Sequence, residues 1–290
     1  MSEQFGTVSP CGDAIIGRGG HMFLLNGSNC LHGQYCSSAP YAAKWISLIL
    51  ERRSYCDSMG IDFFQMIIPE KQTVMPDLYP LDKPRITPAL LGINSALSTL
   101  PSYVNAYDLL SCLYLFKRLD PFRLGDTHLT SRGYIELLAP IVGRYCREAA
   151  AGLFHEICFR NGSANGDLKK KFYKSDSGEK LLMPIESLPF FCGSVKCVEF
   201  SHGPKLKKSG TVVKFVNSRP RIDKSVLIFG NSMSERGSNP LGLTWWLSRI
   251  FKEVAFVWSP SICSERVDIV RPDILISQTV ERFLPVVAKA

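Results

Sequence analysis

The chain has 290 residues, 46% of them apolar, ten cysteines and a formal charge of +8 at neutral pH. That length allows one large domain or two small ones with a sizeable buried core. No apolar run approaches the ~20 residues that a membrane-spanning helix needs, which excludes that class.

Residues 1–38 are rich in Gly, Ser, Asn and Cys and read as irregular. Residues 40–58, with Tyr41, Trp45, Ile46, Leu48 and Ile49, have helical apolar spacing. The β-prone run from Ile61 to Ile68, ended by Pro69, predicts a buried strand. A helix is expected over 87–99 and a strand from Tyr103 to Leu109. The stretch from Asp126 to Ala151 opens with a polar cluster and continues as an amphipathic helix through Ile135, Leu138, Ile141 and Tyr145. Residues 155–222 turn Lys-, Ser- and Gly-rich, with β-like pieces at Ser194–Phe200 and Thr211–Val216. They read as an insertion within a single domain spanning 1–290. Alternation then resumes: strand Ser225–Phe229, turn Gly230-Asn231-Ser232, helix Leu241–Phe251, strand Val254–Trp258, and a last strand ending at Ile276. Strands alternating with helices predict an α/β fold, a mainly parallel sheet with helices on both faces and a β-rich insertion. Ligands of such sheets bind beyond the carboxyl ends of the strands.

The composition narrows the partners. Lys169-Lys170-Lys171 and Lys205/Lys207/Lys208 lie in polar stretches and read as solvated loops. No nucleic-acid-binding signature accompanies them, so nucleic acid is not the expected partner. The cysteines form no CxxC pair and read as mostly free thiols in a reducing compartment. Neither a metal nor a cofactor is expected. Met1–Pro10 lacks the basic start and apolar stretch of a secretory signal, so the chain as written is expected to be cytoplasmic.

Two loops carry residues suited to chemistry. Ser232 follows an apolar strand and a glycine, and a helix begins shortly after. A serine on such a turn exposes its hydroxyl, and the N–H groups beyond it can face a developing oxyanion. Serine needs a base to become nucleophilic. Asp126 and His128, two apart in an extended segment, share one side. The carboxylate can then hold one imidazole nitrogen and leave the other for the serine proton. Alone, each piece also reads as ordinary structure: a tight turn, and an aspartate capping the next helix beside a solvated histidine.

Three strings together resemble the alginate O-acetyltransferase family of SGNH-hydrolase-like proteins. Asp126-Thr127-His128-Leu129-Thr130 followed by Gly133 is similar to that family's Asp-Thr-His-Trp-Thr…Gly motif. Phe229-Gly230-Asn231-Ser232 is similar to its Gly-Asp-Ser or Gly-Thr-Ser turn. Arg271-Pro272-Asp273 with Glu281-Arg282-Phe283-Leu284 is similar to its Pro-Asp…Glu-Arg ending. Gly17-Arg18-Gly19-Gly20-His21-Met22-Phe23-Leu24 and Pro69-Glu70-Lys71 match more softly. Asp-x-His precedes the serine, as in that family and opposite to ordinary SGNH esterases.

The resemblance implies an SGNH-like (flavodoxin-like) fold and a Ser232–His128–Asp126 triad. The activity it implies is a carbohydrate O-acetyltransferase or acetylesterase in polysaccharide acetylation. A sugar or polysaccharide and an acetyl donor would be the substrates, a membrane-bound acetylation complex a further partner, and the periplasm the location. Gly230, Asn231 and Lys71 are oxyanion or site-supporting residues on this reading; Lys71 either reaches an anionic group on the substrate or is a surface lysine, and Asn231 serves the turn. Ser234 is the runner-up nucleophile. Glu281 and Arg282 are expected to pair structurally near the sheet's end. Leu129 stands where the family has Trp, Asn231 where it has Asp or Thr, and His21 where it has an aromatic. The first of these is expected to alter the acceptor pocket. The chain ends soon after Leu284, so the family's carbohydrate-binding module is not expected. The departures motivate an alternative, a catalytically inactive member that binds glycan or a partner.

Overall fold

A computed structural model describes residues 4–83, 85–173, 178–203, 208–235 and 239–288. Lys205 and Lys207 lie outside the described residues. A seven-stranded sheet runs in the order β4 (Tyr103–Val104), β3 (Asp62–Ile68), β11 (Ile274–Val280), β9 (Ile222–Gly230), β10 (Phe251–Trp258), β8 (Val212–Asn217), β7 (Val195–Ser201). The pairings from β4 through β10 are parallel, and β8 and β7 add antiparallel. The expected mainly parallel sheet is therefore present.

Its central strands are apolar on both faces, because helices cover both. Along β3, Phe64, Met66 and Ile68 enter one core while Phe63 and Ile67 enter the other. Val226 and Ile228 of β9 alternate in the same way with Leu227 and Phe229. The period of two sends successive side chains to opposite faces. On one side pack α5 (Ala106–Leu115), α6 (Ser131–Gly143), α7 (Arg147–His155) and α9 (Leu243–Ile250). On the other pack α2 (Tyr41–Ser58), α4 (Pro88–Leu97) and α10 (Ser264–Val270), and the single turn α3 (Lys71–Val74) follows β3.

Two expectations need correction, and a third gains detail. Residues 1–38 are not irregular throughout: β1 (Ala14–Ile16) and β2 (Met22–Leu24) form a buried hairpin, and α1 (Leu31–Ser37) follows. Tyr103–Leu109 is a strand for only two residues. Asn105 then accepts a hydrogen bond from the Asp108 backbone N–H and starts α5. Residues 155–222 divide into two. β5 (Phe159–Ala164) and β6 (Glu179–Pro184) make a separate hairpin around the single turn α8 (Lys169–Phe172), whereas β7 and β8 extend the main sheet. Among the described residues no helix is long and apolar enough to cross a membrane.

Candidate active site

The loop from Phe122 to Thr130 lies before α6, and a backbone bridge between Phe122 and Leu129 closes it. Thr130 caps α6 by accepting the Gly133 N–H at 3.2 Å. Any side chain at 133 would meet the Pro121 carbonyl, since a Cβ there would lie 2.4 Å from that oxygen. The Thr-x-x-Gly spacing therefore has a local cause: a cap, and a close approach that only glycine tolerates.

Inside this loop the Asp126 and His128 side chains meet. His128 Nδ1 is 2.6 Å from Asp126 Oδ1, which also accepts the His128 backbone N–H at 2.8 Å. The other oxygen, Oδ2, accepts from the Arg123 guanidinium at 2.5 Å and from the Asp167 N–H at 3.3 Å. Burial alone would raise the Asp126 pKa. The His128 hydrogen bond and charge, with the Arg123 cation, more than offset it and hold the carboxyl well below the usual range. With Nδ1 committed to the carboxylate, the opposite nitrogen, Nε2, is buried and has no hydrogen-bond partner among the described residues.

Behind the pair sits a buried ionic network absent from the expected site. Arg123 Nε lies 2.5 Å from Glu179, and both side chains are almost inaccessible. Glu179 also accepts the Gly125 N–H at 2.6 Å, and Arg123 donates further to the carbonyls of Ala164 and Asn165. Two carboxylates and one guanidinium thus fix the loop's start. Asp126, His128 and Asp167 bring one ligand-type atom each within 4.8 Å of one another. The Arg123 cation and the protein N–H and O–H donors already engage these carboxylates, so the set is committed to hydrogen bonding.

The serine turn follows β9 at the carboxyl end of the sheet. Asn231 organises it. Its side-chain oxygen accepts the Met233 N–H at 3.0 Å, and its carbonyl accepts those of Ser234 and Glu235. The expected turn role of Asn231 has this geometry. A Cβ at Gly230 would lie 2.8 Å from both Gln278 Oε1 and Ser234 Oγ, so a side chain there would displace that pair. Gln278 Oε1 in turn accepts the Asn231 N–H at 3.2 Å and the Ser234 hydroxyl at 2.9 Å. Ser234 is wholly buried and committed to Gln278, whereas Ser232 is half-buried. Because His128 Nε2 has no partner, no Ser232–His128 hydrogen bond is formed in this structure. A cavity of about 410 Å³ opens against Gly230 and Asn231, lined also by Trp45, Trp258, Gln278 and Phe283.

Several other predicted residues take different places. Lys71 is 2% exposed, and its Nζ donates to the carbonyls of Met22, Arg123 and Leu124 at 2.6–3.0 Å. It holds the backbone just before Asp126 and does not face an anionic ligand. Burial pulls its pKa down to about 7, against the nearby carboxylates Glu179 and Asp126. Leu129 is fully buried in the core beside α6, so it is no part of an acceptor pocket. Glu281 and Arg282 do not pair with each other. Glu281 accepts the N–H groups of Glu70 and Thr87 and the Thr73 hydroxyl, while Arg282 pairs with Glu70 at 2.7 Å. Both remain structural, at the end of β11. His32, which has no partner evident in the sequence, lies 3.3 Å from the Tyr79 hydroxyl.

Sequence reasoning missed Arg123, Asp167, Glu179 and Gln278. Arg123 stands three residues before Asp126 and could have been weighed. The other three reach their partners across 40 or more residues of chain, and nothing local marks them.

No protein-family model and no curated protein matches the chain. Solved structures do. The O-acetyltransferase domain of Pseudomonas putida AlgJ is similar at a TM-score of 0.58 and 16% identity, covering 94% of this chain and 92% of that one. Bacillus cereus PatB1 is similar at 0.58 and 12%, covering 93% and 96%. A DHHW family protein from Eubacterium siraeum is similar at 0.55 and 12%, covering 95% and 92%. The expectation of a cytoplasmic chain is corrected by this likeness: AlgJ, a periplasmic protein, has the same fold, so the composition of Met1–Pro10 does not place the chain in the cytoplasm. The chain therefore has the SGNH-like α/β fold of the AlgJ and PatB1 structures, in line with its resemblance to the alginate-acetylation proteins.

Proposed function

We propose that this chain transfers acetyl groups to or from a carbohydrate through a Ser232–His128–Asp126 triad. The observation that carries the reading is the division of labour in the imidazole. Nδ1 is held by a buried carboxylate, while Nε2 is left unspent. That is the state a general base needs. Further support comes from the serine turn at the carboxyl end of β9, and from the fold, shared with a domain described as an O-acetyltransferase.

In the reaction, Ser232 Oγ attacks the acetyl carbonyl carbon as its proton passes to His128 Nε2. Asp126 stabilises the imidazolium. The tetrahedral intermediate collapses, the donor oxygen leaves with the proton returned by His128, and an acetyl-serine remains. A sugar hydroxyl or water then attacks the acetyl carbonyl as its proton passes to His128, and Ser232 Oγ leaves with the proton that His128 returns, so the acetyl group is transferred and the serine is restored. The N–H groups of Met233, Ser234 and Glu235 are spent within the turn, and that of Ser232 has no partner among the described residues. Ser232's own N–H is accordingly the oxyanion donor of this reading. On this reading a membrane-bound acetylation complex is the partner that supplies the donor.

The test is turnover of a small acetyl ester. Ser232→Ala, His128→Ala and Asp126→Ala should each lower it by a factor of roughly 10⁴ or more. Full turnover by Ser232→Ala would end the assignment. A second reading, a glycan- or partner-binding member without activity, is favoured by one observation, the missing Ser232–His128 hydrogen bond. It predicts no ester turnover and glycan binding that survives all three substitutions.

A further inference from the structure

The hairpin β5–β6 lies outside the main sheet, yet its connection is laced to the Asp126–His128 loop residue by residue. Asp167 Oδ1 accepts the Thr127 N–H at 2.8 Å, and Oδ2 accepts the Thr127 hydroxyl at 2.5 Å. The Asp167 N–H returns a bond to Asp126 Oδ2. Immediately after it, Leu168 and Lys169 donate their N–H groups to the Gly125 carbonyl at 3.2 and 2.9 Å. The two segments approach so closely at this seam that a Cβ on Gly166 would lie 2.1 Å from that carbonyl oxygen.

The seam has a chemical consequence. Thr127 stands between the two residues that must stay in register, and it is 5% exposed. Gripping it by both N–H and hydroxyl fixes the extended backbone that puts Asp126 and His128 on one side. Asp167 Oδ2 also lies 3.7 Å from His128 Nδ1, beyond hydrogen-bond reach, whereas Asp126 is at 2.6 Å and fully buried. Asp126 is thus the carboxylate that holds the ring, and Asp167 reaches the ring through Thr127. We propose that Asp167 is a positioning residue for the Asp126–His128 pair, and that the β5–β6 hairpin is by this contact part of the active site. This inference rests on the triad reading given above.

The charge side of the arrangement fits. Asp167 and Glu179 face the loop and its Asp126 from the β5–β6 hairpin, Arg123 balances them from within the loop, and Lys71 does so from outside it. An imidazolium formed at His128 would face Asp126 directly and Asp167 at longer range. Misplacing such a base by about 1 Å costs up to roughly 100-fold in rate.

Three variants of the full chain test this: Asp167→Ala, Asp167→Asn and Thr127→Ala. Asp167→Ala should lower kcat on a small acetyl ester by roughly 10- to 100-fold with KM within about twofold. Asp167→Asn keeps one acceptor oxygen and should recover part of that loss. Adding Thr127→Ala to Asp167→Ala should cost nothing further, because both act on one contact. The proton on His128 Nδ1, followed by NMR, gives a readout independent of Ser232. It should be a resolved low-field signal in the parent chain and should broaden by faster exchange in Asp167→Ala, with the remaining spectrum preserved. An unchanged signal, unchanged kcat in Asp167→Ala, or additive losses in the double variant would each overturn the inference. If Ser232→Ala retains turnover, the triad fails as a mechanism, and the NMR signal still decides whether Asp167 holds the ring.

Discussion

Replacing Arg123 by Met probes what holds the site together. The Arg123 and Asp126 side chains have no solvent exposure, and Glu179 is 6% exposed. Met keeps much of the aliphatic volume and removes the cation, leaving two buried carboxylates without their partner. Breaking a buried pair in this way costs about 3–5 kcal/mol, because an uncompensated charge stays out of water. Acid should act differently on the two proteins. In the parent chain Asp126 is held below its usual range, so its contribution to stability is complete above about pH 3.9 and is lost as pH falls from there. In Arg123→Met the His128 contacts remain but the cation is gone, so the Asp126 pKa moves up toward its usual range and protonation relieves more of the penalty. The stability gap between variant and parent should therefore be widest near pH 7 and narrower at about pH 3. Urea unfolding at both pH values measures it. A gap below about 1 kcal/mol at pH 7, or one that does not shrink on acidification, would refute the reasoning.

Two other positions give independent checks. Glu281→Ala strands the Glu70 and Thr87 N–H groups and the Thr73 hydroxyl in the interior and should cost about 3 kcal/mol or more, whereas Glu281→Gln, which keeps an acceptor, should cost less; urea midpoints compare them. His21 is buried, and desolvation with the Lys71 charge lowers its pKa to about 4. The unfolded chain takes up that proton near pH 6.5, so stability should fall as pH drops from 6.5 through 4, by at most about 3 kcal/mol. His21→Gln should lose that part of the slope, seen as a flatter melting temperature against pH.

The contrast between what the sequence foretold and what it did not follows the range of the interactions. β3, β9 and β10 announce themselves because both faces are buried and the apolar runs are continuous. Asp126, His128 and the Ser232 turn could be paired only through their joint order with the C-terminal Glu281-Arg282 string. The strand expected over 103–109 failed because the Asn105 cap overrides the β-prone residues. Lys71 read as a lysine reaching an anionic group or lying at the surface, since nothing local says that three carbonyls from two distant segments converge on it. Asp167, Glu179 and Gln278 were invisible for the same reason. Each acts across the fold, and each is an ordinary polar residue in its own neighbourhood.

The most direct test of the central claim is covalent labelling with a sulfonyl fluoride, read by peptide mass spectrometry. A solved PatB1 structure carries a sulfonyl adduct. The account predicts one adduct on Ser232, formed slowly or not at all in His128→Ala and Asp126→Ala. An adduct on Ser234, or labelling of Ser232 at the same rate without His128, would contradict it.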